Sequence, residues 1–217
     1  MSIRVRTIAK IATYALVATA GIVQVPYAAQ SFPLAHSRSL YTAVVELAKA
    51  PKGWLALCKR HVAECDVQPS AAKSVELSDD TWNRLVAVNE WVNTRVKAMT
   101  DQKHWRVSER WDYAEDGYGD CEDFVLLKRR MLIALGMPRE ALLITVVWAS
   151  GPRGDEGHAV LTVRTDQGDF VLDNQSKKIL LWNKTRYDFV KRQSQENPNV
   201  WVYIDGKTPK PTAVAAR

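Results

Sequence analysis

Hydrophobic residues recur at helical spacing up to Gly136 and at strand spacing beyond it, and this change of period most narrows what the chain can fold into. In "LSDDTWNRLVAVNEWVNTRVKAMT", Trp82, Leu85, Val88, Val92, Val96 and Met99 fall on one helical face. Ser78 caps it, and Asp79 and Asp80 suit its first turn. A second helix is predicted from Cys121 to Leu135, with Phe124, Leu127, Met131 and Leu135 on one face and Gly136 and Pro138 ending it. After that, "ALLITVVWA", "GHAVLTVRT" and "GDFVLDNQ" read as strands, the last two joined as a hairpin by "DQG"; "KILLW" and "NVWVYI" are shorter strand candidates. Helices followed by an antiparallel sheet give an α+β fold.

Four segments follow. Residues 1–30 carry Arg4, Arg6 and Lys10, then an apolar stretch from Ile11 to Val25, shorter than the roughly 20 residues of a membrane span, and the small residues Ala28 and Ala29. This reads as a secretory signal peptide, so the mature protein is expected to be exported. Residues 31–77 form an N-terminal helical segment, with a helix expected near 40–49 and a polar connector over 66–77. Residues 78–205 are the main domain, and 206–217 read as a disordered tail.

The net charge is +6, of which residues 1–30 supply three, so their removal leaves +3. That excess, with no basic stripe interleaved with aromatics, argues against nucleic acid as a partner. Lys128, Arg129 and Arg130 stand together and read as the solvated face of one helix.

Of the three cysteines, Cys58 and Cys65 lie close together, and in an oxidising compartment they are the natural disulfide pair. A zinc site of Cys58, His61 and Cys65 would have too few ligands and no second CxxC. Cys121 is left over, and an odd cysteine in an exported chain is an intermolecular partner or a free reactive thiol.

Cys121 stands among Asp116, Asp120, Glu122 and Asp123, whose charges would raise its pKa and blunt it as a nucleophile. Its place at a helix start works the other way, because unpaired N–H groups and the helix dipole stabilise a thiolate and can receive an oxyanion. His158, opening a strand, is the candidate base. Asp173, at the end of the next strand, is the candidate orienting carboxylate, expected nearly opposite His158 across the hairpin. Each residue also has a plainer use: a packed cysteine, a satisfied core histidine, a turn-forming aspartate.

"GYGDCEDFVLLKRRMLIALGM", "GHAVLTV" and "FVLDNQ", with "VNEWVN" upstream, resemble the bacterial transglutaminase-like cysteine proteinases, the LapG-like periplasmic proteases, over roughly residues 75 to 180. The resemblance implies a papain-like/transglutaminase-like fold over 78–205, with Cys121 as nucleophile, His158 as general base and acid, and Asp173 as its orienting partner. It implies calcium bound by acids beside the cysteine, Asp120 and Glu122 first, then Asp123, then Asp101; oxygen-only ligands suit that ion. It points to a protein substrate, with a surface adhesin as the candidate, and leaves room for an inner-membrane regulator. Two other activities fit the same residues: acyl transfer to an amine, and calcium-responsive binding without turnover.

Overall fold

A computed structural model describes residues 39–151 and 154–204, so the predicted signal peptide, residues 31–38 and the tail 206–217 lie outside the described residues. Strand β1 (Val44–Ala48) comes first, then helix α1 (Lys52–Arg60). Helix α2 (Asp79–Arg95) follows, capped by Ser78, whose side chain accepts from the Thr81 N–H. A two-residue strand β2 (Lys97–Ala98) and a one-turn helix α3 (Asp101–His104) lead to β3 (Tyr118–Gly119) and then to α4 (Cys121–Ala134). The rest is strand: β4 (Leu142–Gly151), β5 (Gly154–Thr165), β6 (Gly168–Leu172), β7 (Leu180–Leu181), β8 (Asp188–Gln193) and β9 (Trp201–Ile204).

Seven of these strands make one antiparallel sheet in the order β1-β9-β8-β4-β5-β6-β7. The α+β expectation holds. The helix expected near 40–49 does not form: Val44–Ala48 pairs with β9 as an edge strand, so the segment 31–77 is not purely helical. The β-branched pair Val44 and Val45 favours that outcome once a partner strand is available. The strand β8 had no signal in the sequence.

One face of the sheet packs against α1, α2 and α4. Leu85, Val88 and Val92 of α2 meet Phe124, Val125 and Leu132 of α4 over Ile144, Leu161 and Val163. A smaller cluster of Val147, Val160, Trp182 and Phe189 fills the other face. Helix α4 is buried nearly all round from Glu122 to Arg129, where the sequence suggested one apolar stripe; Leu135, assigned to that stripe, is exposed. The reading of Lys128, Arg129 and Arg130 as a solvated face is likewise corrected. Arg130 is exposed, but Lys128 and Arg129 are buried because the sheet, α1 and α2 enclose the helix. Arg129 donates to Glu64 at 3.0 Å and to the Leu142 carbonyl at 3.2 Å. Next to Glu64, Cys65 is bonded to Cys58, tying α1 to the turn that follows it.

Candidate active site

Cys121 is the first residue of α4 and is a free, half-buried residue. Its Sγ–H donates to Glu122 Oε2 at 2.7 Å. The backbone N–H of Ala159, the neighbour of His158, is directed at the same sulfur, which puts the thiol next to the start of the buried part of β5. Burial pushes the thiol pKa well up, the charges of Glu122 and Asp120 push it further, and the Ala159 N–H pulls it back. The two carboxylates thus act in the direction their charges suggested from the sequence, adding to the larger effect of burial.

His158 and Asp173 are both almost fully buried and meet through Nε2 and Oδ1 at 2.9 Å. Their backbones are not directly opposite as expected. β5 pairs with β6 in the register Leu161↔Leu172, so continuing it would put Asp173 across from Val160, two residues beyond His158. Alternation still places the two side chains on one face, diagonally related, within reach of each other.

Two further residues complete the surroundings of Asp173. The Tyr187 hydroxyl donates to Asp173 Oδ2 at 2.5 Å and its ring lies 5.5 Å from the imidazole, while the Gln175 N–H donates to Oδ1 at 3.0 Å. Burial alone would raise the Asp173 pKa, but the hydrogen bonds from His158, Tyr187 and Gln175 outweigh it and hold the carboxyl below its usual range. A carboxylate bound to Nε2 leaves Nδ1 as the basic nitrogen; Gln175 Nε2 stands 3.5 Å from it. Tyr187 was not foreseen. It lies just ahead of the unrecognised strand β8, so no sequence pattern tied it to Asp173.

The acids divide into two groups. Asp101, Asp120 and Asp123 bring one carboxylate oxygen each within 4.8 Å of one another. Glu122, expected among the first ligands, is not one of the three converging carboxylates; it accepts from the Cys121 thiol and also hydrogen-bonds the Asp120 carboxyl. Asp101, the weakest of the four expectations, is central: it is fully buried and its Oδ2 accepts from the Arg110 N–H. Asp123 Oδ1 accepts from the Asp112 N–H at 2.6 Å and Oδ2 from the Asp120 N–H at 3.3 Å. Asp101 Oδ1 and Asp120 Oδ1 are buried with no hydrogen-bond partner among the described residues. Burial, then the charges of Glu122 and Asp101, raises the carboxyl pKa of Asp120, and burial with the charge of Asp120 pushes Asp123 up to about 8. Three converging oxygens that repel one another are a donor set suited to a hard cation. Asp123 also lines a cleft of about 220 Å³ with His104, Asp112 and Asp116, which borders the cluster.

A free thiol at a helix start, beside a buried imidazole–carboxylate pair on an antiparallel sheet, is the equipment of thiol-dependent acyl chemistry. The chain belongs to the bacterial transglutaminase-like cysteine proteinases (BTLCP), whose family profile matches residues 44–209. It is therefore a cysteine peptidase of transglutaminase-like fold that acts on protein. Among solved structures it is similar to Legionella pneumophila LapG, with 28% identity, a TM-score of 0.46, and coverage of 56% of this chain and 68% of that one. The calcium-bound LapG structure gives 27% identity, a TM-score of 0.47, and coverage of 62% and 74%. The EGTA-treated one gives 28%, 0.46, 56% and 67%. No curated protein sequence matches the chain. Among the described residues no helix is long and apolar enough to cross a membrane.

Proposed function

We propose that the protein is an exported endopeptidase in which Cys121, His158 and Asp173 act as a catalytic triad, with calcium held beside the nucleophile. The observation that carries this reading is the buried His158–Asp173 pair at 2.9 Å, next to a helix-start cysteine whose sulfur receives the Ala159 N–H. His158 Nδ1 takes the Cys121 proton as the sulfur attacks the peptide carbonyl. The N–H groups at the start of α4 face the developing oxyanion. His158 then protonates the leaving amine, and a water molecule, deprotonated by His158, releases the acyl group and restores the thiol. Asp173 stabilises the imidazolium in both halves, and Tyr187 fixes Asp173.

Asp101, Asp120 and Asp123 would hold the calcium ion, their two unpartnered buried oxygens being the feature that fits it. A bound cation there supplies positive charge that offsets Asp120 and favours the Cys121 thiolate. Glu122 is left outside this set and keeps its hydrogen bond with the thiol. The periplasmic location, a surface adhesin as substrate and an inner-membrane regulator are carried from the sequence resemblance; the signal peptide over 1–30 rests on its own basic and apolar pattern.

Iodoacetamide labelling at pH 6, located by mass spectrometry with calcium or EGTA, tests the reading. We expect fast modification confined to Cys121, slowed by EGTA and by His158→Ala. Labelling no faster than a free thiol in calcium would overturn the triad, and indifference to EGTA would remove calcium from the mechanism. Transfer to an amine is the second reading, and the mass of the product separates it from hydrolysis.

A further inference from the structure

Lys128 is the polar group of α4 that the proposed triad leaves unused. It lies seven residues beyond Cys121, two helical turns along the same face, and is fully buried. Its ammonium has no hydrogen-bond partner among the described residues and stands 6.0 Å from the Phe124 ring. Arg129 beside it is fully buried too, but has Glu64 and the Leu142 carbonyl as partners. A fully buried charge without a partner is rare enough to call for a reason.

The neighbouring helix supplies one. Arg84, near the start of α2, donates to the Leu135 carbonyl past the end of α4, and Lys97, just after α2, pairs with Tyr118, just before α4. The two helices therefore run antiparallel, so Asn89 falls level with Lys128 and Asn93 one turn nearer Cys121. Asn89 is buried with both amide atoms unpartnered among the described residues. Asn93 Oδ1 has no partner among the described residues, and its Nδ2 donates to the backbone carbonyl of Asp173 at 2.8 Å. Donors and acceptors thus share one layer between α2 and α4, and that layer reaches the main chain of the residue that orients His158. The charge that acts on the Lys128 ammonium is that of Asp173, opposing the burial that lowers its pKa to about 7.

We propose that Lys128 is a positioning residue for the triad: with Asn89 and Asn93 it forms a buried polar layer, bridged by ordered water, that anchors the Asp173 segment and supplies positive charge behind its carboxylate. Buried water typically joins such otherwise unsatisfied groups. The proposal deepens the peptidase reading and rests on it for its kinetic consequence, but the anchoring of the His158–Asp173 pair is measurable without turnover.

The test is Lys128→Met in the full-length chain, with Asn89→Leu as a second variant should the first fail to fold. Three readouts are taken: the thermal midpoint, the Cys121 labelling rate, and the proton resonance of His158 Nε2–H. Methionine matches the length of lysine without its charge, so the midpoint should hold or rise. The labelling rate should nevertheless fall about tenfold or more, because small misplacements remote from the reacting atoms have effects of that size. The His158 Nε2–H resonance should shift or broaden. Wild-type labelling rate and resonance in a folded variant would overturn the proposal, as would a lowered midpoint with both of those unchanged. If wild-type Cys121 itself labels no faster than a free thiol, the peptidase reading fails, and the resonance alone still decides whether Lys128 anchors the pair.

Discussion

Replacing Tyr187 by phenylalanine removes one hydroxyl and keeps the ring over His158. In the native protein Asp173 Oδ1 receives His158 Nε2 and the Gln175 N–H, while Oδ2 receives the Tyr187 hydroxyl. The carboxylate is only 3% exposed, so water does not readily replace the lost donor. A hydrogen bond to a buried charged group is worth about 1.5–3 kcal/mol. For a domain of this size each kcal/mol lowers the midpoint by roughly 2–4 °C, so a loss near 2 kcal/mol predicts a fall of roughly 4–8 °C at pH 7. The deficit must also depend on pH. Asp173 is held below its usual pKa in the fold, so its contribution to stability is present above the ordinary carboxylate range and is lost as pH falls through the depressed folded value. Without the hydroxyl that depression shrinks, and the two proteins should converge in strong acid. Scanning calorimetry of both proteins at pH 7 and near pH 3, with the Cys121 labelling rate at pH 6, measures all of this. Equal midpoints at pH 7, or a deficit that grows toward acid, would refute the assignment of Tyr187 as the donor that holds Asp173 ionised.

A Cβ built on Gly119 would stand 2.6 Å from the Asp123 Cβ, so Gly119→Ala should displace that carboxylate, lower stability by about 1–3 kcal/mol and weaken calcium binding in a calorimetric titration. Asp101→Asn should leave the calcium-free protein as stable or more so, because it removes a repelling charge, while abolishing any rise in midpoint on adding calcium. Serine at both Cys58 and Cys65 opens a loop with a sequence separation of 7, and urea unfolding should show a loss of roughly 2–3 kcal/mol.

The elements that the sequence announced are those whose polarity follows a period. α2 has its serine cap and apolar face, β4 and β5 their β-branched runs, and the hairpin its turn, so Cys121, His158 and Asp173 could be named from pattern and resemblance. β8 could not be found that way. Its residues Lys191, Arg192 and Gln193 are polar yet buried at the centre of the sheet. Lys191 donates to the Lys49 carbonyl at 2.8 Å, Arg192 donates to Thr42 Oγ1 at 3.3 Å, and the Gln193 side chain accepts from the Ile144 N–H at 3.2 Å. All three partners are remote in sequence, so burial there depends on tertiary contacts that no local window contains. The same holds for Lys128, which looked solvated because its charge was counted and its neighbours were not. The place of Asp101 has a related cause: it is nearly twenty residues from Asp120 and Asp123 in the chain, and the turn through α3 brings its carboxylate to theirs.

The burial of α4 sets how this protein can fail. A helix enclosed from Glu122 to Arg129 by sheet, α1 and α2 has no face on which to fray, so its amides should exchange with solvent only when the whole domain opens. The nucleophile candidate sits at the first residue of that same unit. Reactivity and fold are thereby made one cooperative property: heat or denaturant should extinguish the fast-labelling thiol along the same curve that melts the sheet. Surviving molecules should keep full reactivity, with no partly active population in between.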